Sequence, residues 1–185
     1  MEERSGIHND WVVDVDSRSV LLLPASSSVS AELHQFVDSA VESIDGATLA
    51  GLALDVPLDS GNMQQIVIDS SETVAPLHVV DTRDSDGPAA TARLSGEVVR
   101  ISSTADEGPW EAFRDACRAI GIMSTASFPI SIGDERVGTL TVFSPDYHAF
   151  DVEAIRGGRR IAAGIADAIQ AADPAWYCPA EAAIY

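Results

Sequence analysis

The groups in this chain able to do chemistry are few and far apart. They are two cysteines, Cys117 and Cys178, four histidines, His8, His34, His78 and His148, and one basic cluster, Arg156, Arg159 and Arg160. Thiol exchange needs an accessible, low-pKa attacking thiol with a resolving partner in reach. Cys117 shares one helical face with Trp110, Phe113 and Ile120, which predicts burial. Cys178 falls in a tail beyond Asp173-Pro174, and the pair makes neither a disulfide framework nor a zinc set. An axial haem ligand would have to be a histidine; His78, in a long polar segment, is the one candidate, and a surface position is its plainer reading. No Gly-rich phosphate loop, GxSxG elbow or HExxH motif occurs. The carboxylates are many but scattered, so none stands out as an acid or base. The expectation is binding without catalysis: no catalytic residue, no metal, and no cofactor assigned.

The elements that must position these groups follow from composition and periodicity. At 185 residues, 46% of them hydrophobic, the chain can bury one real core. The formal net charge is -18 and all eleven basic residues are arginine. Such a surface repels phosphate backbones, which argues against nucleic acid. It also suits a high-salt cytoplasm or a GC-rich genome. No segment approaches the ~20 apolar residues of a membrane helix, and Val20–Leu23 is too short and too late for a signal peptide, so the expected place is the cytoplasm, away from membranes.

Residues 1–28 read as an extension with at most one strand, 29–172 as the domain, and 173–185 as a tail. Ser30 can cap a first helix that carries Leu33, Val37, Ala40, Val41 and Ile44, with Gly46 to stop it. Leu52, Leu54 and Val56 alternate as a strand, and 65–68 suggests another. From Asp69 to Arg93 the composition predicts a long loop carrying one short helix, a form typical of binding loops. A strand at 98–101 precedes a helix opened by Pro109 and closed by Gly121. FPISIGDERVGTLTVFSP, residues 128–145, reads as a hairpin turning at Gly133 and Asp134. Phe128, Ile130 and Ile132 share one face of its first arm; Leu140 and Val142 alternate with Thr139 and Thr141 on the second. Asp151–Gln170 is the last helix, and Gly158 on its buried stripe predicts close approach to a neighbour.

The order of these elements, with GEVVRI, GIMSTASFPI, DERVGTLTVFSP and HAFDVEAIRGGRRIAAGIADAI, resembles a GAF domain over residues 30–172. The resemblance is closest to the GAF modules of bacterial regulators with an ANTAR output, where a Gly-Pro like Gly87-Pro88 precedes a small helix and a Gly-Glu like Gly96-Glu97 opens the next strand. It implies an α+β fold, with helices on one face of a central antiparallel sheet and a loop-roofed pocket on the other. Family members bind cyclic nucleotides, tetrapyrroles, haem, amino acids or other small molecules. Bilin-binding members place a Cys-His pair where this chain has Ala112-Phe113. The Asn-Lys-x-Phe-Asp motif of cyclic-nucleotide members needs a lysine, which is absent here. A free methionine sulfoxide reductase would need several gathered cysteines.

The resemblance therefore implies a sensory or regulatory module that binds an unidentified small molecule. His78, Arg100, Trp110, Phe113, Phe128, Thr141 and Phe143 are its candidate contacts. With no room after Pro174 for an ANTAR or kinase domain, signalling is expected through a separate protein partner. Arg156, Arg159, Arg160, Trp176 and Tyr177 are candidates for docking that partner or the second subunit of a homodimer; a solvated face is the plainer reading of the arginines. The alternative is a ligand-free scaffold that serves dimerisation or protein interaction.

Overall fold

The computed structural model describes residues 12–15, 18–22, 28–57, 63–83 and 87–172. In chain order the elements are β1 (Val12–Val15), β2 (Arg18–Leu22), α1 (Ser28–Ser43), β3 (Leu49–Pro57) and β4 (Met63–Asp69). A 3-10 turn (Glu72–Val74) then runs into α2 (Ala75–Arg83), followed by α3 (Pro88–Ser95), β5 (Val99–Ile101) and α4 (Glu111–Ala119). The hairpin β6 (Ser124–Ile132) and β7 (Glu135–Ser144) and the helix α5 (Val152–Ala171) complete it. No described helix is long and apolar enough to cross a membrane.

The strands form one sheet in the order β1-β2-β4-β3-β7-β6-β5. From β4 to β5 every pairing is antiparallel, which is the expected α+β architecture. Beyond β4 the structure differs from the expectation of at most one strand in the extension. Val12–Val15 and Arg18–Leu22 pair with each other, and β2 joins β4 in parallel, Val20 opposite Gln65. Two short Val- and Leu-rich runs separated by two residues have the makings of a hairpin, and the unpaired donors and acceptors of β4 give it an edge to complete.

Strand alternation divides the side chains between two cores. On one face Leu52, Leu54, Ile66, Ile68, Phe128, Ile130, Leu140 and Val142 pack against Leu33, Val37 and Ala40 of α1, Ile44 just beyond it, and Ile165 and Ile169 of α5. Helix α5 starts where the Asp151 carboxylate accepts the Ala154 N–H at 2.9 Å. It then sits down on the sheet at Gly158, where a Cβ would lie 2.1–2.5 Å from three ring atoms of Phe128. The close approach expected of Gly158 is therefore made to that ring.

On the other face Val74, Leu77, Ile101, Phe113, Cys117, Ile122 and Phe143 form a second core beneath α2, α3 and α4. The 69–93 segment was expected as a loop with one short helix; it holds a 3-10 turn and two α-helices. Local caps explain this. The Ser71 hydroxyl accepts the Thr73 N–H at 3.3 Å, and Gly87-Pro88 opens α3, which Gly96 closes at φ 73°. The polar composition that suggested loop belongs to the caps and the solvent side. Helix α4 likewise begins at Glu111, not at Pro109, because Trp110 takes φ 62° and receives the first helical bond, from Arg114, on its carbonyl.

Candidate functional site

The helix-roofed sheet face is built of small and polar residues where the opposite face is aliphatic. Strand register lines up one row across it, Asp69, Gly51, Thr141 and Ser127, on β4, β3, β7 and β6. Val67, Ala53, Thr139 and Pro129 form the next row. The Ser127 and Thr141 hydroxyls lie 3.0 Å apart and satisfy each other. Over Gly51 there is no side chain, and the His78 imidazole descends from α2 into that slot. Its Nε2–H donates to Asp69 Oδ1 at 2.6 Å. A Cβ on Gly51 would stand 2.5 Å from both of those atoms, so only glycine admits the pair.

Burial sets the electrostatics. His78 and Asp69 have side chains 8% and 7% exposed. Desolvation lowers the His78 pKa, but attraction and a hydrogen bond from Asp69, with attraction from Asp81, outweigh it and raise the net value above the usual histidine range. Asp81, one turn on along α2, is pushed up to about 6 by burial, against the pull of His78, the Ala89 and Ala90 N–H groups and Arg93. It is seated under Gly87, whose Cβ would fall 1.4 Å from its Oδ1, and it accepts the Ala89 N–H at 3.3 Å. Helices α2 and α3 are thereby tied together at the α3 N-terminus. Arg93 of α3 binds Asp55 of β3, which also accepts from Gln65 Nε2 at 3.3 Å. Among the described residues, Asp69 Oδ2 and the Thr125 hydroxyl are buried and have no hydrogen-bond partner.

The sequence candidates divide between the two faces. His78, Thr141, Phe113 and Phe143 lie on the roofed side, and half-buried Trp110 packs against that core. Phe128 and Arg100 do not. Phe128 is fully buried beneath α5, and Arg100 is exposed on that same side, donating from Nη1 to the Phe150 carbonyl at 2.9 Å. Strand parity separates them: Phe128 pairs with Leu140, and Arg100 with Ala126, both members of the aliphatic set. Cys117 is fully buried, and desolvation pushes its thiol up to about 12. Among the described residues no cluster of three metal-ligating groups occurs. On α5, Arg156 pairs with Glu153, Arg159 lies 3.8 Å from Glu97, and with Arg160 they line an open depression of about 400 Å³. Trp176 and Tyr177 lie outside the described residues.

Sequence reasoning missed Asp69, Gly51 and Asp81. Their signals are local: Asp69 shares the parity of Gln65 and Val67 on β4, and His78 and Asp81 are three apart on one helix.

A sheet that seats two helices on one face and carries a helical roof with a polar interior on the other is a distinct α+β domain architecture. A GAF-domain family model matches residues 26–170, and the chain belongs to the GAF domain family. No curated protein matches it. Among solved structures it is similar to the GAF domain region of a Geobacter sulfurreducens protein, at 18% identity and TM-score 0.55, covering 77% of this chain and 96% of that one. It is also similar to a type II free methionine-R-sulfoxide reductase from Thermoplasma acidophilum, at 13% identity and TM-score 0.55, covering 77% and 93%. The GAF domain of an Acinetobacter phosphoenolpyruvate-protein phosphotransferase follows at 12% and 0.54, covering 81% and 87%. At these identities the likeness is one of fold.

Proposed function

We propose that this chain is a non-catalytic regulatory GAF module that binds a small molecule beneath the α2–α4 roof and signals to a partner in trans. One observation carries the reading. The roofed face keeps a buried polar set, Asp69, His78, Asp81, Ser127 and Thr141, that an ordinary core would replace with hydrocarbon. Buried polar groups are costly unless fully bonded, and Asp69 Oδ2 has no partner among the described residues. The absence of catalysis is part of the proposal. It is supported by the raised pKa of Cys117, whose thiol stays protonated at neutral pH and cannot attack. The motifs Gly87-Pro88 and Gly96-Glu97, which cap α3, support the likeness to GAF modules of ANTAR-type regulators. The arginines of α5 are the proposed docking point for the partner or a second subunit.

A second reading has its own observation. Leu77, Phe113, Cys117 and Phe143 are each no more than 3% exposed and pack on one another, as the filled core of an interaction module would. Native and denaturing mass spectrometry of the protein purified from its host separates the two. A small mass that leaves on denaturation supports the sensor; a bare chain at every concentration supports the interaction module.

A further inference from the structure

The atom that most needs a partner also tells what kind of partner it needs. The Asp69 side chain is 7% exposed, and its Oδ1 is taken by His78 Nε2–H while Oδ2 accepts nothing from the described residues. An ionised carboxylate has only acceptor capacity, so whatever completes Asp69 must donate. The surrounding charge selects among donors. Asp55 is matched by Arg93, whose charge also reaches Asp81, and His78 stands against both Asp69 and Asp81, so three carboxylates face two basic groups beneath the roof. An anionic ligand would meet two carboxylates at low dielectric, whereas a cation would find its countercharge waiting. The second core on the same face, with Val74, Leu77 and Phe143, offers apolar surface to a hydrocarbon body.

We propose that the roofed site takes a small protonated amine, an ammonium N–H donating to Asp69 Oδ2 while the carbon skeleton rests on the second core. The assignment rests on the small-molecule reading above and names the ligand's chemical class.

The test is isothermal calorimetry and thermal shift on the full chain with methylammonium, ethanolamine, putrescine and agmatine. Acetate and ethylene glycol serve as anionic and neutral counterparts, and tetramethylammonium as a cation with no N–H. The expected result is saturable binding of at least one N–H amine, none of the counterparts or tetramethylammonium, and an affinity about tenfold or more weaker in Asp69→Asn. Circular dichroism checks that this variant is folded. If it is not, the comparison of methylated with unmethylated ammonium on the natural chain still decides. Binding that is indifferent to N–H groups, or unchanged in a folded Asp69→Asn, overturns the proposal. Recovery of an anionic or neutral ligand from the purified protein overturns it too, but leaves the sensor reading standing. No binding by any amine, together with a bare chain in native mass spectrometry, overturns both.

Discussion

Gly157 and Gly158 are neighbours in the same helix, and replacing each with alanine is expected to change stability in opposite directions. Alanine gains about 1 kcal/mol over glycine in a helix interior, and that gain is common to both sites. At Gly157 the new Cβ would meet only Ile44 Cγ1, at 3.7 Å, an ordinary contact. Gly157→Ala should therefore stabilise by about 1 kcal/mol, or roughly 2–4 °C in melting temperature for a chain of this size. At Gly158 the Cβ would stand 2.1 Å from Phe128 Cζ, and the ring is 0% exposed with the aliphatic core around it. Either the ring or α5 must move by about an ångström, and overpacking of that kind typically costs about 1–3 kcal/mol. Set against the propensity gain, the clash leaves Gly158→Ala with a net loss of up to about 2 kcal/mol. Urea titrations of the three proteins, followed by circular dichroism, give the comparison. Adding Phe128→Leu to Gly158→Ala should recover part of the loss, because the two sites share one contact. The account of how α5 seats on the sheet fails if Gly158→Ala is as stable as the natural chain, or if Gly157→Ala is the worse of the two.

Other expectations concern the roofed site. Asp81 has a folded pKa of about 6 against about 3.9 for an unfolded aspartate, so the folded protein holds a proton the unfolded chain has lost between those values. Its contribution is complete below pH ~4 and disappears as pH rises through ~6, and His78, also raised, loses its own as pH rises through its folded value. Relative to the natural chain, Asp81→Asn should thus be favoured by about 2–3 kcal/mol more at pH 7.5 than at pH 4, read from urea midpoints. Gly51→Ala should push His78 and Asp69 apart, and an NMR titration of the imidazole should show its pKa falling as the carboxylate bond is lost while burial stays. In a Cys178→Ser background, Cys117 should resist iodoacetamide while folded and label fully in denaturant; labelling under native conditions would contradict its burial and raised pKa.

Much of the fold was legible because period and punctuation are local. The stripe of α5 and the β6–β7 hairpin with Gly133 at φ 59° are each written within a few residues. The site was legible in type and less so in place. Phe128 and Phe143 look alike as residues, yet strand parity sends one under α5 and the other under the roof, and that parity depends on a bulge between Ile130 and Ser131 that hydropathy does not mark. Asp69 and Gly51 could not be paired from sequence because their meeting depends on the register of β3 against β4. The 69–93 helices were hidden by composition, since residues chosen for caps and for a polar interior are also those that favour loops.

The parallel seat of β2 on β4 bears on the order in which the chain assembles. Residues 132 and 135 close the β6–β7 hairpin across a two-residue turn, so that pairing is inexpensive in loop entropy and quick to form. Residue 20 meets residue 65 only after α1 and β3 have crossed between them, and until β4 has its place β2 has no partner beyond β1. The β1–β2 ribbon is therefore the natural last arrival on a sheet already nucleated around β3, β7 and β6. Changes confined to it should quicken unfolding while leaving the refolding rate almost untouched.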